Sequence, residues 1–302
     1  MKSGYCQVLN AGCGFIVKIC RNFASLSCHP TVDLTAFLTP HIFFLKGKQT
    51  LRKAKGELAQ AIPADGVLVL NADDEHCRRI GSERRGKTVY FSTQPDQSTS
   101  PCVVALDINP GIDGTTFTMK FPDGESVAAR ISQLGRSAVS NAVAAAALAD
   151  ELGVDRAQIV RSLANLPHVR HRLEPIHREN GVTVLDDAFN SNPIGAKNAL
   201  EVLAQATSGK RILVTPGMVE LGKLEDEFNR DFGRQAASAC DLVVLVGERI
   251  TQSIYEGLKE RSFPDEKILR VNSLNEGIEK LRPILQAGDT MLLENDLPDQ
   301  YN

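Results

Sequence analysis

The sequence has no tryptophan, and aromatic residues fill only 5% of its 302 positions. Sequence-independent binding of single-stranded nucleic acid relies on aromatic faces along a basic groove, so that function is not expected. A charge excess is missing too. With 34 Lys and Arg against 37 Asp and Glu, the net charge is −3, which marks neither a nucleic-acid nor an anionic-membrane partner. No stretch approaches the ~18 consecutive apolar residues that a membrane-spanning helix needs. A signal-peptide core is also absent: Lys2 is a thin basic start, and Asn10, Lys18 and Arg21 interrupt every early apolar run. Closely paired cysteines are lacking as well. Cys6, Cys13, Cys20 and Cys28 recur every seven or eight residues, whereas metal knuckles place two cysteines two to four residues apart. The odd total of seven predicts free thiols in a reducing compartment, the cytoplasm, with these four on one helical face or scattered in a core.

What is present is an ordinary globular composition, 42% hydrophobic and 24% charged, in a chain long enough for two domains. Periodicity is weak before residue 45. Leu51 to Ile62 has the pattern of an amphipathic helix that stops at Pro63. Val67-Leu68-Val69-Leu70 predicts a strand buried on both faces of a parallel sheet. Further strands are expected at Lys87 to Ser92 and Cys102 to Leu106. The alternating run Thr116 to Phe121 predicts a half-exposed strand that turns at Asp123-Gly124. An Ala-rich helix is expected from Asn141 to Leu152, closed by Gly153. Beyond Pro167 strands alternate with helices: Val182 to Leu185, Arg211 to Val214, Leu242 to Val246, Ile268 to Val271 and Met291 to Leu293. That alternation predicts a parallel, doubly wound sheet whose ligands bind beyond the carboxyl ends of the strands.

The letters Gly81-Ser82-Glu83-Arg84-Arg85-Gly86-Lys87-Thr88 satisfy the phosphate-loop pattern. That loop works between a strand and a helix, where backbone N–H groups and a helix N-terminus converge on phosphate. Here a helical pattern precedes the letters and Thr88-Val89-Tyr90-Phe91 follows as a strand, so a solvated turn is expected instead. Gly12-Cys13-Gly14 lacks the third glycine of a dinucleotide fingerprint, since Val17 stands there.

The informative residues lie further on. Leu185-Asp186-Asp187-Ala188-Phe189-Asn190-Ser191-Asn192-Pro193 ends a strand with two carboxylates and opens a helix with Asn192 as cap. His168-Val169-Arg170-His171-Arg172-Leu173-Glu174 supplies a basic segment at the expected boundary, and Thr215 to Gly222 follows the next strand. Three polar loops at adjacent strand ends predict a cleft for an anionic ligand.

In this order the residues resemble the Mur ligase family, in the branch that adds D-alanyl-D-alanine. The likeness rests on Arg172-x-Glu174, Asp186 to Pro193 and Pro216-Gly217-Met218-Val219-Glu220-Leu221-Gly222. It extends back through Gly135-Arg136 with Asn141 to Ala146, Asn71-Ala72-Asp73-Asp74 and Ala54-Lys55-Gly56-Glu57, with His41 fourteen residues before Lys55. The resemblance implies an α/β fold: a partial central ATPase domain over 1–166, poorly defined over 1–45, then a Rossmann-like doubly wound carboxyl-terminal domain over 167–302. It implies ATP-dependent joining of D-alanyl-D-alanine to a UDP-muramoyl peptide through an acyl phosphate, with ATP and Mg²⁺, by a monomer. Lys55, if carbamoylated, and His41 would hold Mg²⁺ and act in catalysis. Asn141, Arg172 and Asp187 would contact the nucleotide, and Asn190 and Asn192 the amine substrate. The family's first domain and glycine-rich phosphate loop have no counterpart in these residues. The alternative is therefore a remnant or ligand-binding module without turnover. The isolated chain is expected to fold in its last ~135 residues and to show little or no ATPase.

Overall fold

Two sheets organise the chain. The computed structural model describes residues 5–9, 16–20, 56, 59–63, 65–94, 100–189 and 191–295, the first two segments as backbone. These residues divide into two compact units, the first within 1–108, 116–130 and 138–165, the second within 109–115, 131–137 and 166–302. No helix among the described residues is long and apolar enough to cross a membrane.

The seven-stranded sheet comprises β1 (Tyr5–Leu9), β2 (Ile16–Cys20), β3 (Val67–Asn71), β4 (Lys87–Ser92), β5 (Cys102–Gly111), β6 (Gly114–Lys120) and β7 (Ser126–Ile131), in the order β2-β1-β3-β4-β5-β6-β7. Strands β1, β3, β4 and β5 are parallel neighbours, and β2 runs antiparallel to β1. The apolar run of β3 has Leu68, Val69 and Leu70 fully buried, as a strand covered on both faces requires. Helix α1 (Glu75–Glu83) links β3 to β4, its first turn capped by Asp74, which accepts from the Cys77 N–H at 2.8 Å. The β6–β7 hairpin turns at Asp123-Gly124, where Gly124 takes φ +92°. Helix α2 (Gly135–Glu151) begins six residues before the expected Asn141, because Gly135, at φ +82°, starts it. Helix α3 (Arg156–Ala164), capped by Asp155, follows.

The phosphate-loop letters fall in α1, a turn and β4. A helix precedes them and a strand follows, the reverse of what phosphate binding needs. The leading Gly81 lies inside α1, where a Cβ would come within 2.1 Å of the Tyr90 hydroxyl, so close packing accounts for it. Cys6 and Cys20 lie on the paired strands β1 and β2 rather than on a helix. Cys77, Cys102 and Cys240 are free thiols, and burial pushes the Cys102 and Cys240 thiols up to about 12, well away from thiolate reactivity.

The six-stranded sheet belongs to the second unit. In chain order it is built from β8 (Glu174–His177), β9 (Thr183–Asp187), α4 (Pro193–Leu203), β10 (Arg211–Thr215), α5 (Glu225–Ala239), β11 (Leu242–Val246), α6 (Thr251–Glu260), β12 (Ile268–Val271), α7 (Leu274–Leu281) and β13 (Thr290–Glu294). The strand order is β12-β11-β10-β13-β9-β8, parallel except for β8. Alternate residues serve opposite faces. Leu185, Leu213, Val243 and Leu292 join the core under α4, α5 and α6, while Val184, Ile212, Val244 and Met291 join the core under α7. Each such side chain contributes about 1.5–3 kcal/mol by leaving water. The sheet is thus doubly wound, as expected, with one difference: Glu174-Pro175-Ile176-His177 adds an antiparallel edge strand, a position where a proline is tolerated.

Candidate functional site

The strand order reverses once in the second unit. From β10 the chain moves outward through β11 and β12, then returns to insert β13 on the other side of β10. Beyond the carboxyl ends of β10 and β13 lies the crevice in which doubly wound sheets bind ligands. The loops after β9 and β10 are therefore not neighbours, contrary to expectation: β13 separates them, and its end contributes Glu294 and Asn295.

Asn295, at φ +67°, fastens this crevice. Its side-chain amide donates to the Gly217 carbonyl at 2.6 Å, and its carbonyl oxygen accepts from the Ser191 N–H at 3.1 Å. Its own N–H donates to the Asp187 carbonyl at 3.2 Å. The ends of β9 and β10 are thereby tied to the residue that follows β13. The loop after β10 is less polar in fact than its letters suggest, since Met218 and Val219 are buried. It is held by the buried Asn229, which accepts from the Met218 N–H at 2.8 Å and donates to the Met218 and Glu225 carbonyls, each at 2.9 Å. Gly217 takes φ +85°, and a Cβ there would stand 2.5 Å from Ile250.

The paired aspartates close β9, one residue pair longer than expected, and each holds a piece of the preceding basic segment. Asp186 accepts from the Ala188 N–H at 3.1 Å, and its other oxygen lies 2.9 Å from His171 Nδ1. Asp187 accepts the Leu173 N–H at 2.9 Å. Between these anchors the backbone is left-handed at both His171 (φ 57°) and Leu173 (φ 49°), a conformation that costs non-glycine residues of order 1 kcal/mol or more each. The segment keeps it because two carboxylates hold it. The result is an outward Arg172, its guanidinium exposed and stacked 4.1 Å from the centroid of the exposed Phe189 ring. Burial raises the Asp187 carboxyl above its ordinary value, opposed by the Leu173 N–H and the Arg172 charge.

Arg172, Asp187 and Asn192 thus belong to one unit and one end of one sheet. Asn192 is the N-cap of α4, accepting from the Ile194 and Gly195 N–H groups at 3.2 and 3.0 Å, so its carbonyl oxygen serves the helix. Asn141 lies within α2, in the other unit. His41, Lys55 and Asn190 lie outside the described residues. Among the described residues no group of three or more His, Cys, Asp or Glu gathers as a metal site would require. In the first unit, Asn71-Ala72-Asp73-Asp74 is engaged locally. Asp73 accepts from the Ser92 hydroxyl, the Thr93 N–H and the Thr93 hydroxyl at 2.5, 2.8 and 2.9 Å, which ties the end of β3 to the end of β4.

Sequence reasoning missed Glu294 and Asn295. The available signal was a charged residue and an amide directly after an apolar strand, but their significance comes from contacts with residues more than a hundred positions away.

Comparison with known proteins gives this geometry a context. The "Mur ligase middle domain" matches residues 27–149, and the "Mur ligase, glutamate ligase domain" matches residues 171–294. The UDP-N-acetylmuramoyl-tripeptide--D-alanyl-D-alanine ligase of Escherichia coli (strain K12) is 35% identical over 199 residues, covering 65% of this chain and 43% of that protein. The ligase of the same name from Mycobacterium tuberculosis (strain CDC 1551 / Oshkosh) is 29% identical over 275 residues, 85% of this chain and 53% of that protein. The chain spans about half the length of the curated relatives it matches. A crystal structure of MurF from Acinetobacter baumannii superposes with a TM-score of 0.69 at 25% identity, over 85% of this chain and 54% of that one. The Thermotoga maritima MurF ligase, solved in complex with ADP, shares the fold with a TM-score of 0.68 at 20% identity, over 84% of this chain and 55% of that one. Matched in order to a middle and a final domain along most of its length, the chain belongs to the Mur ligase family.

Proposed function

We propose that this chain serves ATP-dependent carbon–nitrogen ligation in peptidoglycan precursor synthesis, with its second unit on the nucleotide and amine side. The substrates are ATP, a UDP-muramoyl peptide and D-alanyl-D-alanine. A carboxylate oxygen of the peptide attacks the γ-phosphorus and ADP leaves. The amine nitrogen then attacks the acyl carbon, phosphate leaves, and the amine gives up a proton. Negative charge collects on phosphoryl oxygens, so fixed cations and positioning carry such a reaction.

The observation that supports this reading is the presentation of Arg172. A planar guanidinium suits phosphate oxygens, and here it is exposed at the switch-point end of the sheet on a backbone held by Asp186 and Asp187. Asp187 orients the nucleotide through the segment it fixes. Asn141 contacts the nucleotide from the middle domain, taken as 1–166, and Asn190 and Asn192 line the amine side of the final domain, taken as 167–302. When bound, Mg²⁺ neutralises phosphoryl charge; Lys55, as a carbamate, and His41 are the residues assigned to it.

Titration of the full chain with ATP and Mg²⁺, followed by amide NMR, tests this. Shifts are expected at 171–173 and 187–192, and Arg172→Ala should weaken binding about tenfold or more, the worth of a charge-assisted hydrogen bond. No shift at those positions would overturn the reading. Phosphate release by this chain alone, even with both substrates, is expected to stay near background, because these residues hold no counterpart of the family's phosphate loop; the part of the reaction we assign to the chain is holding the nucleotide and the amine substrate.

A further inference from the structure

The buried Glu294 at the end of β13 and the half-buried Asp187 at the end of β9 do more than the proposed function uses. Glu294 and Asp187 are register partners on adjacent parallel strands, so their side chains leave the same face side by side. Glu294 is 1% exposed. One of its oxygens, Oε1, accepts from the Ser191 hydroxyl. The other, Oε2, is buried and receives no hydrogen bond from a donor group among the described residues, while the carboxyl as a whole lies within hydrogen-bonding reach of Asp187. Asp187 spends Oδ1 on the Leu173 N–H. Two carboxylates in such contact, one of them shut off from water, oppose each other's ionisation, and a proton between them satisfies the orphaned oxygen.

We propose that Glu294 is a positioning residue: it shares one proton with Asp187, and that proton holds Asp187 against Leu173 and thereby sets Arg172. The proposal rests on the reading of Arg172 as the phosphate-side cation. The proton resides on Glu294, whose carboxyl donates to an ionised Asp187. Burial lifts the Glu294 carboxyl well above the ordinary carboxylate range, and the neighbouring Asp187 charge acts in the same direction. The charge of Arg172 favours the Asp187 anion, whereas that of Asp186 opposes it. Asp186 is itself in contact with His171 and is the register partner of Glu174 on β8. The Asp187 carboxylate is thus fixed from two sides, by a donor from β13 and by the backbone whose left-handed turn it maintains. Ionisation of Glu294 would set a second anion, itself buried, against Asp187 and release that grip.

The test compares the full chain with Glu294→Gln, which keeps a permanent donor in the same shape, and Glu294→Ala, which removes it. Carboxyl ¹³C NMR across a pH titration should show one Glu resonance that titrates well above the ordinary carboxylate range and vanishes in Glu294→Gln. The ATP–Mg²⁺ affinity of the wild type should fall as pH rises through that titration. Glu294→Gln should bind as the wild type does at low pH and lose the pH dependence. Glu294→Ala should either bind at least tenfold more weakly at every pH or fail to fold. Ordinary titration of every carboxyl, or an unchanged pH profile in Glu294→Gln, would overturn the proposal. The ¹³C readout needs no nucleotide: a shared proton in a chain that binds no ATP would sink the proposed function and leave the carboxyl pair standing.

Discussion

The two units solve the burial of polar groups in opposite ways. In the first, charge stays near the surface: Arg156 gathers Asp150, Asp123 and Glu125 at 2.8, 2.8 and 2.5 Å and lies 3.9 Å from the Phe121 ring centroid, with Asp123 and Glu125 more than half exposed. Among the described residues, the fully buried polar side chains of that unit come down to Ser92. In the second unit Asp186, Thr215, Glu294 and Asn295 are buried at the carboxyl ends of strands, and Asn229 is buried in α5 against the loop after β10; Thr115, Thr251, Ser253, Asp289 and Thr290 are buried elsewhere in the unit. Burying polar groups is costly unless every partner is supplied, and the group at the carboxyl ends of the sheet is a place where stability has yielded to arrangement. The surface cluster around Arg156 is a fastening. The buried group at the strand ends is where the proposed site lies.

The sharpest way to separate the two is to break one of each. Asn229→Ala strips partners from the Met218 N–H, the Met218 carbonyl and the Glu225 carbonyl at once. It should destabilise the second unit by on the order of 3 kcal/mol, measured by denaturant-dependent hydrogen exchange in β10 and β13, with β3 and β4 unaffected.

The units should also differ in pH response. The Asp123 carboxyl is held below its ordinary value by the Glu125 N–H and by Arg156, so its contribution is present above the unfolded value and lost as pH falls. Glu294 and Asp187 are raised, so theirs is present below the unfolded value and lost as pH rises through the folded one. The second unit also carries lowered carboxylates, Asp241 among them, held down by Arg211. Its melting temperature should therefore fall on both sides, in acid as the lowered carboxylates are protonated and at higher pH as the raised pair ionises, while the first unit only weakens in acid. Differential scanning calorimetry from about pH 2 to 8, reaching about two units below the ordinary carboxylate values and about four above them, checks this. A second unit that gains stability steadily toward pH 8 would contradict it.

Arg156→Ala should cost the first unit about 1 kcal/mol, an effect that fades in high salt, because exposed ion pairs and a cation–π contact are individually small. Phe189→Ala should change stability by less than about 0.5 kcal/mol, since the ring is exposed, yet weaken ATP binding by freeing Arg172.

Much of the fold was legible because buried parallel strands announce themselves. Leu242–Val246 and Ile268–Val271 fall where their apolar runs predict, and Lys87–Ser92 does the same in the first unit. Other elements depend on partners. Glu174-Pro175-Ile176-His177 has no alternation and a proline, and is a strand only because β9 offers it an edge. Strands β1 and β2 lie in a segment of weak periodicity. At the candidate site, the carboxylates ending β9 and the cap at Asn192 were legible from residue order. Glu294 was not: its neighbour Asp187 is set by β13 inserting between β9 and β10, and no local pattern encodes that insertion.

The most direct test of the account is the hydrogen-exchange rate of the Leu173 amide in the wild type and in Asp187→Ala. If two aspartates hold a left-handed segment so that Arg172 faces outward, this N–H should exchange slowly despite lying outside any helix or strand, and should exchange at least a hundredfold faster once the Asp187 carboxylate is gone, the order expected for a lost charge-assisted bond of about 3 kcal/mol. Rapid exchange in the wild type, or the same slow rate in both proteins, would contradict it.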